Sequence, residues 1–483
     1  MGPGTPRERT QSRLPVAVLV GILPVAVLVA ILIPARFPLD VVMVPVQVLL
    51  LGILLYQLAL NAFGIQTVAT PPAVPPRSRF AVLVPAHNEA AVIPHLIASL
   101  RAQAYPAALF KIFVVADNCT DETATVARVA GAEVFERHAV GQGGKGRALD
   151  WLLTRVWETG ELFDAVTVFD ADNLVSPTFL RTMDGHLQRG DQVIQAYLGT
   201  KNPDDSWMTR AICIEYVYMN RFFQRPRHTL GLGTALGGTG MCIAVPLLQR
   251  LGWRCESLTE DLEFQIRAIL AGARATLSWE AIVYDEKPLS FVAALRQRLR
   301  WMQGFSSVAY RYLARLLFRA VQSADPVAWD AALYVGTPIW NGLGFILGLS
   351  AVLNLFMPFY SFVGPRWLSY VLSVPFLVLP YVGLRLEGLP PRFYFSLSTQ
   401  LGRSLLAVCS PVLGLMGLFT FRTRRWVKTE HTRSLTIEEA TRQYSELLRP
   451  AARVEDLRPV EVALEERWGP ERSHKTREPV SSR

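Results

Sequence analysis

AVTVFDAD, residues 165–172, is a short apolar run that stops at two carboxylates, Asp170 and Asp172. It reads as a buried strand with acids at its carboxyl end, and its neighbours repeat the pattern. AVLVP (81–85), IFVVA (112–116) and VIQAYL (193–198) are equally short and apolar. Between them lie helical patterns at EAAVIPHLIASLRAQ (89–103), ETATVARVA (122–130) and GRALDWLLTRVW (146–157). Such alternation predicts an α/β domain: a mostly parallel sheet covered by helices on both faces.

In open parallel sheets, ligands bind at the carboxyl ends of the strands. The first strand runs into Pro85-Ala86-His87-Asn88-Glu89, the second into Asp117-Asn118, the third into Asp170-Ala171-Asp172. Asp and Asn also favour turns and caps, so each motif alone has a structural explanation. Three at successive strand ends point to a site. Asp170 and Asp172 supply two hard oxygen ligands, which together with diphosphate oxygens suit Mg²⁺ or Mn²⁺.

Three further motifs carry charge. Gly143-Gly144-Lys145-Gly146-Arg147 opens a helix, where glycines admit an anion and the helix terminus favours it. The alternative is a plain flexible loop; the spacing does not fit a Walker A motif. Thr259-Glu260-Asp261 starts another helix. Either Ser257 and Glu260 form a capping box there, or Asp261 takes a proton from an attacking hydroxyl. Gln297-Arg298-Leu299-Arg300-Trp301 places Gln297, Arg300 and Trp301 on one helical face. Arg300 suits a diphosphate and Trp301 a sugar ring, or the helix is an interfacial anchor.

The chain is 51% hydrophobic and only 18% charged, which is apolar for a water-soluble enzyme. Residues 15–34 carry no charge and match the length that crosses about 30 Å of hydrocarbon. A cleaved signal peptide is the other reading, but a second apolar stretch follows at 41–63. Further apolar segments lie at 330–357, 369–386 and 398–420. Three crossings there would put the tail outside, whereas the basic run after residue 421 places it inside. One segment is therefore interfacial, or the stretch 330–363 crosses twice. The expected division is two spans in 1–70, a cytosolic domain in 71–325 reached through Pro71, Pro72, Pro75 and Pro76, spans or interfacial helices in 326–421, and a polar cytosolic tail in 422–483. In the tail, Thr436 and Glu439 open a helix as a capping box.

The net charge of +9 gathers beside the apolar segments, at Arg7, Arg9, Arg13 and at Arg422, Arg424, Arg425, Lys428, which points to a bilayer and away from nucleic acid. Five scattered cysteines without a CxxC pair argue against a disulfide framework or zinc site.

Together, Asp117, the DxD at 170–172, Thr259-Glu260-Asp261 and Gln297-x-x-Arg300-Trp301 resemble the family 2 inverting glycosyltransferases of GT-A fold, in the membrane-embedded branch of cellulose, hyaluronan and poly-N-acetylglucosamine synthases. The resemblance covers about residues 78–310. It implies a UDP-sugar donor held by His87, Glu89 and Asp117, with Lys145 at the donor site. Asp170 and Asp172 would hold the metal, and Asp261 would be the base. Gln297, Arg300 and Trp301 would hold diphosphate and the acceptor-end sugar, with Glu260, Gly238 and Thr239 lining the acceptor pocket. It departs from the branch in lacking the Trp-Gly-Thr-Arg motif; Arg425-Trp426-Val427-Lys428-Thr429-Glu430-His431 stands in its place, as a gate or an anchor. The implied enzyme is multi-pass in a bacterial inner or plasma membrane. The leading expectation is processive synthesis of a β-linked polysaccharide exported through the enzyme's own spans. The alternative is transfer of one sugar to a lipid or short glycan. A transporter with a degenerate nucleotide domain would have little need for this acid set. No sequence feature names an accessory subunit.

Overall fold

A computed structural model describes residues 36–65, 74–139, 141–363, 366–388, 396–422 and 435–439. The stretch 15–34 and the segment 425–431 lie outside these residues. Among the described residues eight strands form one sheet: β1 Phe80–Ala86, β2 Phe110–Asp117, β3 Glu133–Arg137, β4 Ala165–Val168, β5 Leu174–Val175, β6 Val193–Thr200, β7 Met241–Ala244 and β8 Ala275–Asp285. Their order across the sheet is β3-β2-β1-β4-β7-β6-β8-β5.

The central strands are apolar on both faces because both faces are covered. Phe80, Val82, Val84 and Ala86 of β1 enter one core with Ile93, Leu96 and Ile97 of the helix Ile93–Arg101. The alternate residues Ala81 and Leu83 enter a second core with Leu149, Leu152 and Val156 of the helix Lys145–Glu158. The two-residue period of the strand thus divides its side chains between two hydrophobic layers. Burying each large aliphatic side chain contributes roughly 1.5–3 kcal/mol.

The sheet is mixed: four of its seven pairings are parallel and three antiparallel. Expectation of a mostly parallel sheet came from the first four strands visible in the sequence. β7 enters antiparallel between β4 and β6, and this reversal has a geometric effect. An antiparallel strand brings its start, not its end, to the edge where its neighbours finish. The loop leading into β7 therefore arrives beside the end of β4, where Gly240 N–H donates to Val168 O at 2.9 Å. β6 and β8, parallel to each other, finish at the same edge.

Outside the sheet, the helix Phe291–Gln322 runs 32 residues, about 48 Å at 1.5 Å per residue. Its start is capped by the Ser290 side chain, which accepts from Ala293 N–H. Among the described residues, three helical segments are long and apolar enough to cross a membrane: Asp40–Ile65, Thr337–Phe356 and Leu397–Thr420. The apolar stretch 330–357 is not one element. It breaks at Gly336, and the helix Pro326–Val335 packs against the domain, with Ala328, Ala332 and Val335 on Leu262 and Ile266. Beside this junction, Arg227 makes a bidentate pair with Asp330 at 2.9 and 3.0 Å. Tyr56, from the first span-length helix, donates to the same carboxylate at 2.9 Å. All three side chains are buried. In the tail, Thr436 and Glu439 form the expected reciprocal cap.

Candidate active site

The convergence of strand ends builds one cavity of about 470 Å³. His87 and Glu89 follow β1, Asp117 ends β2, and Asp170 and Asp172 follow β4. Gly238 and Thr239 precede β7, and all of these line the cavity. Lys145, Glu260 and Asp261 come from the first turns of two helices, and Gln297, Arg300 and Trp301 from the long helix. Every residue to which the family resemblance gives a site role lines this one space, although these residues are scattered over more than two hundred positions. Arg298 of the Gln297–Trp301 motif instead pairs with Glu215.

Local structure fixes the rim. His87 Nδ1 donates to Asp117 O at 2.7 Å, joining the β1 and β2 ends. Asp117 is buried against Arg137, with NH1 to Oδ1 at 2.5 Å. The turn after β4 is braced by Thr239, whose Oγ1 accepts from Asp170 N–H at 3.2 Å and donates to Asn173 Oδ1. Asp172 is buried, and its Oδ2 accepts from Glu286 N–H at 3.3 Å. Thr239 therefore spends its hydroxyl proton within the protein.

Lys145 ties three parts of the lining together. Its Nζ lies 2.5 Å from Asp170 Oδ1 and 3.6 Å from Glu260 Oε1, and donates to Gly238 O at 2.6 Å. Burial works against its charge, but Asp170, Glu260 and Asp261 outweigh it and hold the ammonium above its ordinary range. Gly238 has φ +80°, a backbone that favours glycine. A Cβ there would lie 3.4 Å from Asp261 Oδ2, so the absence of a side chain keeps the approach to that carboxylate open. Burial pushes Asp261 up to about 7, Glu260 adding repulsion and Lys145 opposing it.

Residues 75–304 match the model of the glycosyltransferase-like family 2. They form a family 2 glycosyltransferase domain.

The glycosyltransferase domain and its flanking helices are similar to named proteins. A beta-monoglucosyldiacylglycerol synthase from Nostoc sp. is 27% identical over 372 residues, covering 73% of this chain and 76% of that protein. The protein of the same name from Synechocystis sp. is 28% identical over 236 residues, covering 47% of this chain and 48% of its own. A mannosyltransferase from Pyrobaculum calidifontis, solved with GDP-Man and Mn²⁺, superposes with a TM-score of 0.50 at 14% identity, covering 85% of this chain and 100% of its own. The fold is GT-A, with the helices added to it.

The charge of the glycosyltransferase cavity tests the fit of a divalent cation. Eight acids line it: Glu89, Asp117, Asp170, Asp172, Glu260, Asp261, Asp285 and Glu286. Lys145, Lys287 and Arg300 are the cations that face them. A diphosphate entering so acidic a space needs a counter-ion, and Asp170 and Asp172 offer hard oxygens for one. Among the described residues no trio of His, Cys, Asp or Glu is arranged to hold a metal alone.

The sequence reading missed Asp285 and Lys287, which also face the cavity. Lys287 Nζ donates to Asp285 at 2.5 and 2.6 Å and lies 3.0 Å from the centre of the Tyr216 ring. Burial lifts Asp285 to about 6, against the pull of Lys287. The available signal was an acid at the end of the apolar run Ile282-Val283-Tyr284, the same pattern that marked Asp117 and Asp170. The capping-box reading of Ser257 and Glu260 is corrected. Ser257 Oγ donates to Thr259 O at 2.8 Å, and Glu263 accepts from the Glu256 and Ser257 amides at 2.9 and 2.8 Å. Glu263 holds the turn, leaving Glu260 and Asp261 to face the cavity.

Proposed function

We propose that this enzyme transfers a single sugar from a nucleotide-sugar donor, a UDP-sugar, to the hydroxyl of a membrane glycerolipid of the diacylglycerol type. The observation that carries this reading is the seat of Trp301. It faces the cavity from a helix whose next residue, Met302, packs against the span-length helix Leu397–Thr420. The acceptor side of the cavity thus borders the membrane element, where a lipid hydroxyl would arrive. The synthase relative, matched across 76% of its length, supports this alternative over the processive synthesis first expected.

In this reading His87, Glu89 and Asp117 hold the nucleotide, and Asp170 and Asp172 hold a divalent cation. When bound, that cation neutralises charge on the departing diphosphate. Lys145 and Arg300 bind the diphosphate from the protein side, and Gln297 and Trp301 seat the acceptor. Asp261 removes the proton of the acceptor hydroxyl as its oxygen attacks the anomeric carbon. The bond from that carbon to the diphosphate breaks, the nucleoside diphosphate leaves, and the configuration inverts.

The test is product analysis with purified full-length enzyme, radiolabelled UDP-sugars and diacylglycerol in bilayers. An organic-extractable lipid bearing one sugar is the expected product. An insoluble or high-mass polymer formed without added lipid would restore the processive reading.

A further inference from the structure

The motif helix Phe291–Gln322 is gripped on two sides by glycines. Gln297, Trp301 and Gly304 follow at i, i+4 and i+7 and so share the face toward the cavity. A Cβ on Gly304 would lie 2.5 Å from both Cγ2 and Oγ1 of Thr259, the residue two before Asp261. On another side, Gly417 of the helix Leu397–Thr420 abuts the backbone of Met302. A Cβ there would lie 2.8 Å from the carbonyl carbon and Cβ of Met302 and 2.9 Å from its oxygen. Gln303 Nε2 adds a hydrogen bond to Thr420 Oγ1 at 3.0 Å. Neither gap has room for a methyl group. The Met302 side of the contact is backbone, which cannot swing aside as a side chain tip can.

From these contacts we infer that Gly304 and Gly417 are positioning residues: the membrane helix sets the place of Arg300 and Trp301 relative to Asp261 through two side-chain-free contacts. Seen along the chain, Thr259 is fixed to Asp261, Gly304 is fixed to Trp301, and Gly417 presses the same turn from the opposite direction. Adding bulk at either glycine displaces the turn that carries Arg300 and Trp301, while the nucleotide-facing loops after β1 and β2 stay where they are. A misplacement of about 1 Å costs on the order of a hundredfold in rate when it separates reacting groups. The inference rests on the acceptor-side assignment of Trp301 given above.

The experiment measures kcat, donor KM, acceptor KM and melting temperature for the full chain in bilayer nanodiscs. The variants are Gly304→Ala, Gly417→Ala, Gly417→Leu and Trp301→Ala. Expected for Gly304→Ala and Gly417→Leu is a fall in kcat of about tenfold or more with donor KM within about twofold. Gly417→Ala falls in the same direction and decides the matter if the leucine variant does not accumulate. Adding Thr259→Gly to Gly304→Ala removes the three atoms nearest the new methyl, and part of the lost kcat returns. Unchanged kcat in the glycine variants, or a donor KM that rises in step with the loss, overturns the positioning role. Trp301→Ala separates the two ideas. If it leaves acceptor KM unchanged, the acceptor assignment fails; if it raises acceptor KM while the glycine variants behave as wild type, only the positioning role fails.

Discussion

Lys145 Nζ stands 2.5 Å from Asp170 Oδ1, so the glycine-rich turn and the strand-end acid pair are bound by one ion pair. The same ammonium moderates Glu260 and Asp261. Lys145→Ala leaves three acids facing one another without their cation. Donor KM should rise about tenfold or more and kcat should fall, because a diphosphate then enters a still more acidic space. Steady-state kinetics over a range of Mn²⁺ concentrations would show it, and a variant with wild-type donor KM would remove Lys145 from the donor site.

Asp261 must be ionised to accept a proton, and its folded value stands near 7. Below that pH the carboxyl keeps its proton, so kcat/KM should climb about tenfold per pH unit up to about 7 and then level. Stability runs the other way. The unfolded carboxyl ionises near its ordinary value, so the folded state holds the extra proton between roughly 4 and 7, and this group's contribution to stability is lost as pH rises through that window. Asp261→Asn should therefore melt no lower than wild type at pH 8 while losing nearly all turnover. A flat pH profile for wild type, or turnover retained by the asparagine variant, would exclude Asp261 as the base.

A buried ion pair broken on one side costs about 3–5 kcal/mol, because the remaining charge has no partner. Lys287, itself buried, pairs with the part-buried Asp285 beside the cavity, so the loss falls toward the low end of that range. Lys287→Met should lower the melting temperature clearly, and the double variant Lys287→Met, Asp285→Asn should recover part of the loss. Additive losses in a double-mutant cycle would mean the two groups act separately.

Chelation should abolish transfer, and Mg²⁺ or Mn²⁺ should restore it to wild type but not to Asp172→Ala. Full activity in excess chelator would show that the acid pair serves another purpose.

Much of this site was legible because acids stood at the ends of apolar runs. A parallel strand buried on both faces must be apolar throughout, so Asp117 and Asp170 mark the point where each strand leaves the core. β7 and β8 escaped for physical reasons. β7 is only four residues long, and β8 carries Ser278, Trp279 and Glu280 where its register with β6 shifts. Without them, the antiparallel insertion and the Asp285–Lys287 pair could not be placed. The turn at Ser257 misled because Glu263, one helical turn further on, outcompetes Glu260 for the exposed amides. The choice between a lipid and a growing polymer has no local signature, since both readings draw on the same Gln297, Arg300 and Trp301.

The Arg227–Asp330–Tyr56 cluster has a practical corollary. A fragment trimmed to residues 74–310 would keep the guanidinium of Arg227 but discard both the carboxylate and the phenol that shield it. Such a fragment should aggregate or refuse to fold even though its sheet is intact. The catalytic half is then expected to fold only together with its flanking helices, which side-by-side melting of the trimmed and full chains would check.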